Sequence, residues 1–519
     1  MQSFTWIEIF LVALSGMFTF TRQAQMLQQN SYFPSRYLKW LKEEMHLKKQ
    51  LLSFLFFAIA VVLFFFVGSV AMIIYSSAVL VLRIFRARHL QKKSIKPLVY
   101  TARVKRQYIT LGFVYALLIA LSLTVHSKWV ALIIIVLSYM PYLAVLLVRD
   151  LNAPIENAFV KWYINDAKKK LKSHPNLKVI GITGSYGKTS TKYVLAELLS
   201  QKYNVLYTPA SFNTPLGVVR TIRESLRPET QIFIAEMGAK NLGDIKEICD
   251  IVFPDMGVIT SVGPQHLDTF KSIENVSSTK FELADAVKAK GGQVFLNLDN
   301  EYIAAKAENY PTTSYGESGD VYFKNLTYSP AGAQFDVVYD GGEFHISTKL
   351  LGKHFVSNIT AAAAVALSLG VKPQDIAFAA AKLKPVSHRL ELKPFLGGGT
   401  LLDDAYNANP VGCIEAVKVL GQFDGFRKVI VTPGLVELGD KEYECNYNLG
   451  VTAAETCDVI ILVGEQRAIP MKKAAEDKGF GGELHVVDSF ASAMNILREI
   501  CTRETAVLIE NDLPDNYSK

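Results

Sequence analysis

The chain has 519 residues, half of them hydrophobic, with a formal net charge of +7, a length that accommodates roughly three domains. Residues 1–150 carry 17 Lys+Arg against 4 Asp+Glu, or +13, and the remaining 369 carry 38 against 44, or −6. The positive balance therefore belongs to a basic membrane region joined to a mildly acidic soluble part, and no nucleic-acid partner is expected.

Five apolar runs precede residue 150: 6–20, 51–67, 69–82, 111–125 and 129–148. A membrane span needs roughly 20 such residues, so several are at or below the limit, and the first contains Glu8. That run lacks a small-residue cleavage site, so a removable signal peptide is not expected. Arg22, Arg36, Lys39, Lys42, Lys48 and Lys49 separate the first two runs, and nine Lys/Arg from Arg83 to Arg106 separate the third and fourth. Both loops are then cytoplasmic, and the chain emerges at Arg149 on the side where ATP is found. The competing reading, a soluble helix pair over 51–84, is opposed by the absence of charge from Leu51 to Leu82. The basic loops either attract anionic membrane lipids or only set orientation.

Residues 153–173 read as an amphipathic connecting helix. From Leu177 to about Lys384 strands and helices alternate, as in an α/β domain with a mostly parallel sheet. A β-rich insert is expected at 321–351, broken at Gly332 and Gly341-Gly342. A second α/β unit follows, with strands at 400–403, 428–432, 459–463, 483–487 and 506–509. The fold class is thus α/β: an N-terminal α-helical transmembrane module of about five spans (1–150), a central domain (151–385) and a C-terminal Rossmann-like domain (386–519). All five cysteines lie after residue 150 without CxxC spacing, as reduced cytoplasmic thiols do.

The strongest chemical signal is Gly181-Ile-Thr-Gly184-Ser-Tyr-Gly187-Lys188-Thr189-Ser190-Thr191. An apolar strand enters a glycine-rich turn and an amphipathic helix leaves it. Such a loop converges backbone N–H groups on a polyphosphate, which Lys188 would neutralise while Thr189 holds Mg²⁺. The alternative is a glycine-rich turn that binds nothing. The strict spacing would place a glycine where Ile182 stands.

The spacing Thr-Gly-x-x-Gly-Lys-Thr-Ser resembles the Mur ligase family, ATP-dependent enzymes that form amide bonds in cell-wall precursors. The resemblance covers roughly 175–519 and implies an ATP site of Gly184, Gly187, Lys188, Thr189, Ser190, Asn297, Asn358, Arg389 and Asp404. It implies two Mg²⁺ ions on Thr189, Glu236, His266 and a carbamylated Lys280, with Lys188, Lys280, His266 and Arg389 as catalytic residues. Asn213 and the string Tyr406-Asn407-Ala-Asn409-Pro410 would face substrate, and the string resembles the MurF type, which attaches D-alanyl-D-alanine.

The pattern departs in several places. Phe355 replaces an asparagine, the small domain that holds the UDP-sugar is absent, and Thr432-Pro433-Gly434 loses the Gly-Asp that precedes Glu437-Leu-Gly439. Glu510-Asn511-Asp512 stands where the family has Lys-Gly-Ser-Arg. The expected function is an integral membrane, cytoplasm-facing ligase joining an amino acid or dipeptide to a cell-wall precursor, either UDP-linked or lipid-linked. Two rivals stand beside it: an amide ligase for another lipid-linked or poly-amino-acid substrate, and a non-catalytic ATP-binding membrane scaffold.

Overall fold

The computed structural model describes residues 6–511 apart from 31, 45–46, 94–96, 126, 211, 266, 330, 385–389, 406–409, 437 and 439–440. Two compact units form, Met1–Tyr163 and Ile164–Lys519. One continuous helix, Pro141–Lys172, runs through residue 150. It absorbs the connecting helix expected at 153–173.

The first unit is helical: α1 (Trp6–Gln29), α2 (Pro34–Glu44), α3 (Leu47–Val62) with a π-helical turn (Leu63–Val67), α4 (Ser69–Lys93), α5 (Ala102–Thr124), α6 (Lys128–Tyr139) and α7 (Pro141–Lys172). Phe20, Leu27, Leu111 and Ile134 lie in its core. A Cβ on Gly16 would lie 2.4 Å from the Tyr115 hydroxyl and 2.6 Å from Ser138 Oγ, so a small residue is what lets α1 approach α5 and α6. Among the described residues two helices, Ser69–His89 and Ala102–Thr124, are long and apolar enough to cross a membrane. The pair α6 and α7 makes a third if it counts as one span. The run expected at 129–148 is not one straight helix, because it bends by 100° between Tyr139 and Pro141. Pro141 lacks the N–H that would continue the ladder.

The second unit holds two sheets. The first contains β1 (Lys178–Thr183), β2 (Val205–Tyr207), β3 (Ile232–Glu236), β4 (Met256–Ile259), β5 (Gln293–Asn297), β6 (Thr312–Gly316), β7 (Val321–Ser329), β8 (Gly332–Tyr339) and β9 (Gly342–Thr348). Their order is β2-β3-β1-β4-β5-β6-β7-β8-β9. Pairing is parallel as far as β6–β7, and antiparallel from β7 to β9. The strands of the parallel part are apolar runs because helices cover both faces. Val194, Leu195 and Phe355 pack on one side, Phe281, Leu283 and Ile248 on the other.

The second sheet contains β10 (Glu391–Pro394), β11 (Thr400–Asp404), β12 (Arg427–Thr432), β13 (Val459–Val463), β14 (Glu483–Val487) and β15 (Thr505–Glu510), in the order β10-β11-β15-β12-β13-β14. It is parallel except for the β10–β11 pair. The edge strand β10, with Pro394 at its end, was not among the expected strands.

Candidate active site

In the first sheet β1 lies between β3 and β4. Chain direction away from β1 reverses there, and such a switch point opens a crevice at the carboxyl ends of the strands. The glycine-rich loop sits at that end of β1 and leads into α8 (Lys188–Leu199). Its backbone demands glycine twice. Gly184 has φ +151° and a Cβ there would lie 2.0 Å from Thr260 Oγ1; Gly187 has φ +82° and its Cβ would lie 2.7 Å from Asn358 Oδ1. The loop is moored to the end of β4: Ser185 N donates to Ser261 O at 2.8 Å, Tyr186 N to Ser261 Oγ at 2.8 Å, and Thr260 Oγ1 to Tyr186 O at 2.5 Å.

The start of α8 has no side-chain cap. Its first backbone bond runs from Thr191 N to Gly187 O, which leaves the N–H groups of Lys188, Thr189 and Ser190 without helical acceptors. Lys188 Nζ folds back onto the loop, donating to Gly184 O at 2.6 Å and Ser185 O at 3.1 Å. Burial lowers its pKa, opposed by the Glu236 carboxylate. Uncapped N–H groups, a helix dipole and a desolvated cation together fit an anion of the polyphosphate kind.

Glu236, the last residue of β3, organises the polar side of the site. Its Oε1 accepts from Thr189 Oγ1 at 3.0 Å and Asn213 Nδ2 at 3.1 Å, its Oε2 from Lys192 Nζ at 2.9 Å, and its backbone N donates to Thr208 Oγ1. The Lys192–Glu236 pair is fully enclosed, with side chains 0% and 1% exposed. Lys192 was absent from the sequence reading. Its one signal was position: four residues after Lys188, it falls on the same face of α8. Thr260, which braces the loop, was missed as well.

Lys280 is buried on the helix Ile273–Ala289. Burial, then repulsion from Lys188, lowers its pKa to about 7, while Asp244 and Glu282 act in the opposite direction. A lysine so placed reaches the neutral amine, the form that adds CO₂, at far lower pH than an exposed one. Asn297, at the end of β5, donates to Thr260 O at 2.9 Å. Asn358 lies beneath the loop, its Oδ1 accepting from Thr191 Oγ1 at 2.9 Å while its buried Nδ2 has no partner among the described residues. Phe355, the departure noted above, is a core residue packed against the His354 ring.

In the second sheet, Asp404 and Glu510 end the neighbouring strands β11 and β15 and stand in register. Asp404 Oδ1 accepts from Leu390 N at 2.9 Å, and Glu510 Oε1 from Cys413 Sγ at 2.7 Å. Burial, then Asp404, raises the Glu510 pKa well above the carboxylate range. The expected site residues His266, Arg389, Tyr406, Asn407 and Asn409 lie outside the described residues.

Among the described residues no group of three or more His, Cys, Asp or Glu side chains gathers as a metal site. What the crevice offers is the Thr189 hydroxyl beside the Glu236 carboxylate. Two oxygen ligands fit Mg²⁺, which usually keeps several waters and takes its other ligands from phosphate oxygens.

Comparison with known proteins adds two matching family models, Mur ligase middle domain over residues 182–366 and Mur ligase, glutamate ligase domain over 388–510. The UDP-N-acetylmuramoyl-tripeptide–D-alanyl-D-alanine ligase of Bacillus subtilis is 31% identical over 292 residues, 56% of this chain and 63% of that protein. Its counterpart in Mycobacterium leprae is 32% identical over 369 residues, 64% of this chain and 71% of that protein. The MurF ligase of Thermotoga maritima in complex with ADP matches in structure with a TM-score of 0.58 and 26% identity, covering 68% of this chain and 80% of that one. The chain spans 59% to 65% of the length of the first curated relatives it matches.

Proposed function

Since the chain belongs to the Mur ligase family, we propose that it is a membrane-anchored ATP-dependent carboxylate–amine ligase of the MurF kind. It would join a D-alanyl-D-alanine-type dipeptide to a muramyl peptide and release ADP and phosphate. The observation that carries this reading is the uncapped start of α8, with buried Lys188 on one side and the Thr189–Glu236 pair on the other. ATP bound there, with Mg²⁺, would supply the phosphoryl group that activates the acceptor carboxylate as an acyl phosphate; the amine then attacks the acyl carbon and inorganic phosphate leaves.

The residues divide that work. Lys188 turns from the loop carbonyls to the phosphates, and the N–H groups of Lys188, Thr189 and Ser190 hold the anion in place. Thr189 and Glu236 would hold Mg²⁺, and His266 and a carbamylated Lys280 would serve a second ion. Asn213 keeps Glu236 aimed and would stand near the acceptor. Arg389 and Asp404 close on the nucleotide from the C-terminal domain. Charge developing on the transferring phosphoryl group is thereby met by fixed donors.

The membrane module, which stands where relatives carry a sugar-nucleotide domain, suggests that the acceptor is lipid-linked and presented at the cytoplasmic face. A second reading, an amide ligase with another amine donor, is favoured by one observation: Glu510 puts a buried carboxyl where the family carries a lysine.

The test is phosphate release from ATP by the detergent-solubilised chain with D-alanyl-D-alanine and a muramyl tripeptide, UDP-linked or lipid-linked. Release requiring both substrates and lost in Lys188→Ala is the expected result. Release with other amines alone would move the second reading forward, and no turnover with any pair would sink both. Faster extension of the UDP-linked acceptor would remove the lipid-linked one.

A further inference from the structure

The span Ser69–His89 contains Arg83, six residues and hence about 9 Å before its end. The Arg83 side chain enters the bundle from α4. Its Nη1 donates to Ser15 Oγ of α1 at 2.8 Å and to Ser138 O of α6 at 3.2 Å. Its guanidinium carbon lies 4.3 Å from the centre of the Tyr139 ring. Ser138 stands in the last turn of α6, just before the 100° bend. Thr19 Oγ1 donates to the same carbonyl at 3.2 Å, and Tyr115 pairs with Ser138 Oγ at 3.1 Å. The protein thus uses one nitrogen of the guanidinium to close the broken end of a helix.

The opposite edge is unspent. Among the described residues Nε and Nη2 of Arg83 have no hydrogen-bond acceptor, and no carboxylate pairs with it. An arginine inside a span with three of its five N–H donors unmatched is costly, and an ionisable residue so placed points to a functional site. The Nε–Nη2 edge is the fork that takes two oxygens of one oxyanion in parallel. Arg86, three residues on, adds a second cation near that face. Near the cytoplasmic end of a span the oxyanion within reach is a lipid phosphate, toward which a long arginine side chain extends.

We propose that Arg83 anchors a binding site for the phosphate of a membrane lipid, either a phosphodiester headgroup or a lipid-linked diphosphate, seated at the break between α6 and α7. The proposal rests on the membrane-anchored part of the reading above. Lipid binding is measured without ATP, so its failure and failure of the ligase assignment are separate results.

The experiment is titration of the delipidated full chain in dodecyl maltoside, read by native mass spectrometry. The probes are phosphatidylglycerol, diacylglycerol, a polyprenyl diphosphate and inorganic phosphate. Phosphatidylglycerol should saturate one strong site that weakens about tenfold in Arg83→Gln. Arg83→Lys keeps the charge but loses the fork, so it should keep the wild-type melting temperature and bind several-fold more weakly. Arg88→Gln, which removes the same charge elsewhere on α4, should stay within about twofold of wild type. Tighter binding of the polyprenyl diphosphate would assign the site to a lipid-linked diphosphate. Equal binding of diacylglycerol, equal binding by both glutamine variants, or displacement of lipid by inorganic phosphate at equal concentration would each overturn the proposal.

Discussion

Lys280 titrates with two meanings. An unfolded lysine holds its proton to 10.5, whereas the folded one releases it near 7. Between those values the unfolded chain binds the extra proton, so this contribution to stability grows as pH rises through the window. Below about 7 the burial penalty is present in full. The same titration governs CO₂ addition, which needs the free amine. With ¹³C-bicarbonate, a carbamate resonance should appear as pH rises through 7 and be missing in Lys280→Arg; the same signal in the variant would refute the assignment. The pair Lys192–Glu236 makes a different prediction. Removing one member of an enclosed ion pair costs about 3–5 kcal/mol, whereas removing both can be nearly neutral. Thermal unfolding should show Lys192→Met strongly destabilised and Lys192→Met/Glu236→Gln largely restored. Equal stability of the two variants would mean that the carboxylate does not need its partner. Glu510 behaves inversely to Lys280. Its raised pKa stabilises the fold at low pH, and that contribution falls as pH rises above 4.5. In thermal unfolding across a pH series, Glu510→Gln should therefore gain on wild type as pH rises above 4.5, and a constant difference would mean that the carboxyl keeps its ordinary titration.

At the scale of elements, the glycine-rich loop tolerates nothing larger than hydrogen at its first bend. Gly184→Ala must find room where Thr260 Oγ1 stands 2.0 Å away, in a conformation L-residues avoid. The strain of about 1–3 kcal/mol would be relieved by moving the loop, so nucleotide affinity should fall by about one to two orders of magnitude; an unaltered affinity by calorimetry would show that the loop is not the cradle. Much of this layer was legible beforehand. The strands of the second sheet were expected at 459–463 and 483–487, where β13 and β14 lie, because a short apolar run between glycines or charges has few other uses. Gly332 and Gly342 marked the turns of the β7–β9 meander. The 100° bend at Met140 was not read, although Pro141 announces it, because hydropathy averages across a break. Lys192 was invisible for another reason: charge in a helix reads as solvated surface, and its burial arises only when β3 brings Glu236 to α8.

At the scale of the whole molecule, the anchored reading proposed above would put the second unit on the cytoplasmic side, the side of the basic loops and of ATP. Two or three spans by length and composition should hold the chain in the membrane through alkaline carbonate extraction; release into the supernatant would defeat the anchored reading. The cysteines offer a check on sidedness. Four are buried and Cys445 is half-exposed, so an impermeant maleimide should label Cys445 only after cells are opened. A cysteine placed at Ser127, between α5 and α6, should label in intact cells. The reverse pattern would invert the topology.

The crevice below the loop also has an electrical consequence. Lys188 and Lys192 share one carboxylate, Glu236, while Lys280, which faces Asp244 and Glu282, is repelled by Lys188 enough to shift its titration. A polyanion entering that space relieves the repulsion and draws the lysines back toward their charged forms. Nucleotide arrival in the absence of CO₂ is then a proton-consuming event. Its measured heat should change with the ionisation enthalpy of the buffer, most steeply just above neutrality, where Lys280 is poised to take up the proton.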